Sequence, residues 1–281
     1  MRASPSRTTS WVDSLTASAA RVRLRVLAQV VAAGGGHLSQ ACSSAELLTV
    51  LLRRLAHLDP PAAPLVPSTA HALPGTAWLP GRDAVVLGPA GYELAVLAAL
   101  VEIGRLADQA LTMDLSPTPG FTTTSDVLGA AVALAVERQA TVPGRVWAMI
   151  DDQTCTTGAA WEAFAAAGHH RCRRLTVLID ANGRGPGGWL AATHTIEPLV
   201  ARLRAFGCAA TEVDGHDLRA LDRVCRQAHA DRPLVVIART DPCRGCEVMR
   251  PLAPHLGRIA LSTDALRQAF LTALRHPVTS G

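Results

Sequence analysis

The chain has 281 residues, of which 49% are hydrophobic, 4% aromatic and 18% charged. This composition is typical of a globular domain packed mainly with aliphatic side chains. Its 27 basic residues exceed its 23 acidic residues by a formal charge of +4, and they are scattered rather than interleaved with aromatics, which argues against a nucleic-acid surface. No apolar run approaches the roughly 18 residues of a membrane helix.

No composition break marks a domain boundary, so residues 1–11 are expected to form a loose tail and residues 12–281 a single domain. The tail lacks the apolar core and cleavage site of a secretory signal. The seven cysteines lack the spacing of a disulfide framework, which favours a reducing cytoplasm. Cys243 and Cys246 form a CxxC without a second pair, and a loop explains them better than a zinc site.

The first third of the chain predicts helices separated by loops. Apolar residues recur at helical spacing over 12–31, and Gly34 to Gly36 are expected to stop that helix. Ser43 or Ser44 is expected to cap a second helix over 45–58. Residues 60–81 describe an irregular connection, followed by a buried strand at 84–87 and a helix over 93–106.

Beyond residue 126 the pattern becomes a regular alternation of strands and helices. A helix is predicted over 127–138, and a last helix over 262–274. Between them, strands are predicted at 146–150, 175–180, 209–213 and 234–238, with intervening helices over 158–167, 196–206 and 218–229. This order indicates an α/β fold, a parallel sheet with helices on both faces.

In such a sheet, ligands collect beyond the carboxyl ends of the strands. One central strand runs into Asp151, Asp152 and Gln153, and the next runs into Asp180, Ala181, Asn182 and Gly183. Carboxylate, amide and carbonyl oxygens are the ligands that Mg²⁺ prefers. These residues alone leave a simpler interpretation open, because Asp at a strand end is commonly a helix cap and Asn-Gly is a common turn.

Residues 146–162 and Asn182 resemble the thiamine-diphosphate fingerprint of transketolases, a Gly-Asp-Gly followed about thirty residues later by Asn. Asn182 follows Asp152 by 30 residues. Other blocks resemble the family in the same order: Gly36-His37 with Glu46, Arg82 to Leu87, Thr118 to Gly129, Ala205 to Gly207, Val213 to Asp217, Arg232 to Leu234 and His255 to Gly257. The resemblance covers about residues 12–260 and implies the thiamine-diphosphate-binding fold.

The resemblance also implies a set of site residues. Asp152, Asn182 and the backbone carbonyl of Arg184 would ligate Mg²⁺ (or Ca²⁺), and Gln153, Leu128 and the Arg184 side chain would contact the cofactor. His37 and His255 match histidines near the reacting centre and the diphosphate, and Glu162 matches a residue that links the two cofactor sites. His169, His170 and His216 are expected to be structural or solvated.

The resemblance covers only the diphosphate-binding part of the family. It therefore implies a partner subunit that carries the pyrimidine-binding domain, an α₂β₂ assembly, and transfer of a two-carbon ketol unit. Three departures favour an alternative, a catalytically silent subunit that acts as a scaffold: Gly-Asp-Gly is replaced by Asp151-Asp152-Gln153, a histidine by Gly91 and an acidic residue by Thr157. The altered motif hints at specialised metabolism.

Overall fold

The computed structural model describes residues 10–58, 82–87, 92–112, 121–123, 126–141, 143–185, 188–189, 198–227, 229, 231–255 and 259–275. The helices are α1 (Trp11–Ala32), α2 (Ser39–Val50), α3 (Glu93–Glu102), α4 (Val127–Thr141), α5 (Gly158–His169), α6 (Leu199–Ala205), α7 (Leu218–Arg226) and α8 (Asp264–Arg275). The strands are β1 (Gly35–Gly36), β2 (Ala84–Leu87), β3 (Phe121–Thr123), β4 (Val146–Asp151), β5 (Leu175–Ala181), β6 (Arg184–Gly185), β7 (Gly188–Trp189), β8 (Ala209–Asp214), β9 (Leu234–Arg239) and β10 (Ile259–Ala260).

Six strands form one sheet in the order β3-β2-β4-β5-β9-β8. Every neighbouring pair in it is parallel, so the predicted α/β class is confirmed. β4 and β5 lie at the centre, and their register places Asp151 opposite Asp180. The ends of these two strands are therefore neighbours, as the sequence predicts.

Each face of the sheet is covered by its own set of helices. Val85 and Leu87 of β2 face a core shared with α1, α2, α3, α7 and α8, whereas Ala84 and Val86 face a core shared with α4, α5 and α6. All seven residues of β5 are buried, because helices cover both faces of the sheet. Parallel strands covered in this way have an almost continuous apolar sequence.

The second helix begins earlier than predicted. It starts at Ser39, directly after the His37 loop, and it changes after Val50 into a π-helical turn over Leu51–Leu55. The prediction that Ser43 or Ser44 caps this helix is wrong, because both are buried inside it. The Ser43 hydroxyl donates to Asp180, and the Ser44 hydroxyl donates back to the Gln40 carbonyl. Such back-bonding satisfies a helical serine without ending the helix.

Short pairings that the sequence did not reveal connect distant segments. β1 pairs with β10, and β6 pairs with β7 in a hairpin. The β1 contact needs glycine, because a Cβ on Gly35 would lie 2.5 Å from the carbonyl oxygen of Ile259. At the N-terminal side, Ser10 and Asp13 form a capping box at the start of α1, so residues 10 and 11 of the expected tail belong to the start of this helix.

Among the described helices, none is long and apolar enough to cross a bilayer.

Candidate metal site at the ends of two central strands

The carboxylate of Asp152 lies against the turn that follows β5. The backbone N–H of Asp152 donates to the carbonyl of Asp180 at 3.3 Å, and this bond continues the pairing of β4 with β5 by one residue. Its Oδ2 accepts the backbone N–H of Gly183 at 2.9 Å. The structure therefore brings Asp152 next to Asn182, the second predicted side-chain ligand.

The other oxygen of Asp152 has an unusual environment. Oδ1 is buried and accepts no hydrogen bond from the described part of the chain. Burial raises the pKa of Asp152 to about 7, opposed by the Gly183 N–H and assisted by the nearby charges of Asp180 and Asp151. An unsatisfied buried carboxylate oxygen is costly, and a cation beside it would offset that cost.

Asn182 is buried, and its amide has a defined direction. Nδ2 donates to Oδ2 of Asp180 at 3.1 Å and to Oγ of Ser43 at 3.3 Å. Because the nitrogen faces these acceptors, the amide oxygen faces away from Asp180. A carboxylate and an amide oxygen at adjacent strand ends fit the oxygen ligands of Mg²⁺.

The described residues contain no group of three or more His, Cys, Asp or Glu side chains that could hold a metal ion. A site here would therefore combine one carboxylate with amide and backbone oxygens, as the sequence analysis expects.

Asp180 is a central residue of this region whose contacts sequence analysis did not anticipate. Its carboxylate is fully buried and accepts hydrogen bonds from Ser43 Oγ at 2.6 Å, from Tyr92 OH at 2.7 Å and from Thr240 Oγ1. Burial raises the pKa of Asp180 although these hydroxyls lower it. The available signal was the spacing: positions 180 and 182 fall on the same side of an extended segment.

The loop after β4 is closed by its own side chains. Oδ1 of Asp151 accepts the backbone N–H of Thr154 at 2.8 Å and its hydroxyl at 2.6 Å. Gln153, which is half-buried, precedes a short 3-10 helix at Thr154–Thr156, and Thr157 caps α5 by accepting the Ala160 N–H at 3.3 Å. Two of the three departures from the family pattern thus have local structural roles. The third, Gly91, lies outside the described residues.

His37, Arg184 and His255 belong to segments that small pairings hold in place. His37 follows β1 and is half-buried. Arg184 lies in β6, whose partner strand β7 packs against the 3-10 helix Glu247–His255. The next described strand after that helix is β10, which pairs with β1. The backbone therefore brings these three segments into one neighbourhood, and the side chains of Arg184 and His255 lie outside the description.

Leu128 and Glu162 have different surroundings. Leu128 is buried in the core on the α4 and α5 side of the sheet. Glu162 is exposed on α5, shortly after the loop that Asp151 closes. A role for Glu162 that involves a second chain is compatible with this exposure.

A second buried polar cluster lies around Glu46 of α2. Arg23 contacts its carboxylate, and His216 Nδ1 lies 3.0 Å from Oε2. Nε2 of His216 accepts the backbone N–H of Asp241 at 2.8 Å, so Nε2 carries no proton and Nδ1–H donates to Glu46. His216 is therefore structural, as expected.

The cysteine pair lies beside this cluster. Cys243 and Cys246 are buried in the same core as Cys42, and all seven cysteines are free thiols. The Cys246 N–H donates to the Cys243 carbonyl at 2.9 Å within a turn, so this CxxC lies in a loop, as expected.

The fold places the chain in a known structural class. No protein-family model matches it, but a crystal structure of a transketolase variant from Pichia stipitis superposes with a TM-score of 0.71, at 20% sequence identity, over 94% of this chain and 41% of that one. The chain therefore has the thiamine-diphosphate-binding fold of transketolases, as its sequence motifs indicate.

The sequence relatives agree with the structural class. The chain is 28% identical to transketolase-like protein 2 of Bos taurus over 256 residues, which are 83% of this chain and 38% of that protein. It is 29% identical over 254 residues to the 6-deoxy-6-sulfo-D-fructose transketolase subunit SqwG of Clostridium sp., covering 83% of this chain and 87% of that one. Its homologues are transketolases and transketolase-family proteins, and the resemblance found in the sequence is confirmed. The chain spans about two fifths of the length of the long relatives that it matches.

Proposed function

We propose that this chain is the metal- and diphosphate-binding subunit of a two-component transketolase-like enzyme, and that it transfers a two-carbon ketol unit together with a partner subunit. The observation that carries the proposal is the buried Oδ1 of Asp152, which no described residue satisfies, beside an Asn182 amide whose nitrogen is turned away toward Asp180. A divalent cation is the group whose chemistry fits both oxygens.

Each residue has a distinct part in this proposal. Asp152 and Asn182 would hold Mg²⁺ (or Ca²⁺) with the backbone carbonyl of Arg184, and the metal would anchor the diphosphate. Thiamine diphosphate, when bound, supplies the carbon–carbon bond chemistry. The chain itself would bind and orient the cofactor, with His37 and His255 near the reacting centre.

The partner is inferred from the lengths of the relatives. The long transketolase relative exceeds the matched region by more than half of its length, whereas SqwG, which is named as a subunit, matches over 87% of its length. We propose a partner that carries the pyrimidine-binding domain, in an α₂β₂ assembly. The exposed Glu162 of α5 would face that partner.

The alternative function is that of a catalytically silent subunit that supports its partner. The observation in its favour is the loop after β4. Asp151, at a position where the family pattern has glycine, accepts two hydrogen bonds from Thr154 in that loop.

Calorimetry distinguishes the two functions. Thiamine diphosphate with Mg²⁺ is titrated into the chain, with and without its partner, and into the variant Asp152→Ala. The matched control is Asp231→Ala, because Asp231 lies in an exposed ion pair with Arg171. Saturable, metal-dependent binding that survives Asp231→Ala and disappears in Asp152→Ala supports the enzyme subunit. Absence of binding in every combination favours the scaffold.

A further inference from the structure

The Asp180 carboxylate is held by donors from separate parts of the chain. Ser43 belongs to α2, Tyr92 precedes α3 and Thr240 follows β9, and all three hydroxyls donate to it. Asn182 Nδ2 is the fourth donor, at 3.1 Å. Three of the four donate to Oδ2, and Thr240 donates to Oδ1.

The carboxylate of Asp180 fixes the direction of the neighbouring Asn182 amide. The two ends of an Asn amide have nearly the same shape, and only hydrogen bonds decide which end carries the nitrogen. Oδ2 of Asp180 can only accept, and Ser43 Oγ, which gives its own proton to Asp180, accepts as well. Both neighbours therefore select the NH₂ group of Asn182, and the amide oxygen must lie on the opposite side.

The turn itself links this amide to the other proposed ligand. The backbone N–H of Gly183, the residue after Asn182, donates to Oδ2 of Asp152 at 2.9 Å. One short turn therefore contacts Asp180 through the Asn182 side chain and Asp152 through the Gly183 backbone.

We propose that Asp180 is a positioning residue of the metal site: by accepting from Nδ2 of Asn182, it directs the amide oxygen toward the metal that Asp152 binds. This inference rests on the proposed function and deepens it, because it assigns a role to a carboxylate that does not touch the metal. Ser43 shares the role because it also accepts from the amide, whereas Tyr92 and Thr240 donate to the carboxylate.

The test measures Mn²⁺ affinity by the loss of the free-ion electron paramagnetic resonance signal, with thiamine diphosphate present. In Asp180→Asn the second amide can donate or accept, so the Asn182 amide loses its fixed direction, and we expect Mn²⁺ affinity to fall at least tenfold. Tyr92→Phe and Thr240→Val are the matched controls, each removing one donor to the same carboxylate, and we expect less than a threefold change in either.

A rescue variant separates positioning from general stability. In the double variant Asp180→Asn with Asn182→Asp, the new carboxylate presents an oxygen in either rotamer and needs no partner to orient it. We expect this double variant to recover most of the lost Mn²⁺ affinity, which a damaged core would not do. If Asp180→Asn fails to unfold cooperatively, Ser43→Ala takes its place, with an expected loss of about threefold.

A second readout does not depend on metal binding. The side-chain NH₂ resonances of Asn182, identified by their loss in Asn182→Asp, are expected to exchange slowly with solvent in the wild type and rapidly in Asp180→Asn. Unchanged Mn²⁺ affinity in both Asp180→Asn and Ser43→Ala overturns the positioning role. A wild type that binds no metal either alone or with its partner overturns the proposed function and with it the metal-directing role. The NH₂ resonances then report whether Asp180 orients the amide.

Discussion

Two buried carboxylates, Glu46 and Asp180, are stabilised in opposite ways. Glu46 is surrounded by Arg23, His216 and Arg244. Burial alone would raise its pKa, but His216 and Arg23 lower the pKa of Glu46 to about 2. Asp180 accepts only from neutral hydroxyl and amide groups, and burial keeps its pKa above the usual range.

The difference separates a structural ion pair from a candidate site. The fold neutralises Glu46 with its own arginine, so no further ion is needed there. At Asp180 the stabilising groups are dipoles. Burial raises the pKa of the nearby Asp152, and the charge of Asp180 adds to that rise. Negative charge that the fold leaves uncompensated marks the place where a cation would be stabilised most.

If Glu46 is neutralised within the fold, removing its charge will be costly. Glu46→Gln leaves Arg23 charged in the core, and we expect the free energy of unfolding to fall by about 3–5 kcal/mol. The control is Glu212→Gln, which breaks the ion pair with Arg239 at 3.0 Å between half-exposed side chains and is expected to cost about 1 kcal/mol or less. Urea denaturation measures both, and equal losses would contradict the comparison.

The same ion pair predicts a pH dependence. His216 and Arg23 lower the pKa of Glu46 from its ordinary value of about 4.5 to about 2 against the effect of burial. The stabilisation by Glu46 is therefore complete above pH 4.5 and is lost as the pH falls toward 2. The amplitude is about 3 kcal/mol. It is measured as the difference in unfolding free energy between wild type and Glu46→Gln across this range. A difference that does not change with pH would show that the charge of Glu46 is not stabilised.

Metal binding at the other carboxylate is expected to stabilise the protein by mass action. With Mg²⁺ and thiamine diphosphate at a hundred times the dissociation constant, the gain is about 2.7 kcal/mol. Thermal unfolding measures it, and we expect no gain in Asp152→Asn. Asp231→Asn, at a surface ion pair, is expected to retain the full gain in stability. Loss of the gain in this control variant would indicate nonspecific binding.

The smallest effect is expected in the self-closed loop. Thr157 caps α5, so Thr157→Ala is expected to lower the unfolding free energy by about 1 kcal/mol. Thr157→Ser keeps the capping oxygen and is expected to retain most of this unfolding free energy. Chemical denaturation compares the three proteins. A loss in Thr157→Ser as large as that in Thr157→Ala would mean that the methyl group, not the cap, is responsible.

The sequence predicts the central sheet well because its signals are local. The apolar runs of β2, β4, β5 and β9 and the polar residues directly after β4 and β5 can be recognised within a few residues of each other. The adjacency of Asp152 and Asn182 then follows from the alternating order of strands and helices.

The contacts that orient the site are not local and could not be predicted in the same way. Ser43 and Tyr92 meet Asp180 only because α2 and α3 pack on the same face of the sheet. A serine near a helix start is most simply interpreted as a cap, and tertiary packing gave Ser43 a different partner. Likewise, Asp151 and Thr157 are departures from a family pattern in the sequence, and only the backbone shows that they close a turn.

The pairing of β1 with β10 has a consequence for the order of folding. It joins segments that lie on opposite sides of the whole central sheet in the sequence, and closing so long a loop has an entropic cost that the few bonds of a two-residue ladder offset only after the sheet has formed. The His37 loop is thus expected to become ordered last and to open first. Amide hydrogens around Gly36 would then exchange faster than those of β5.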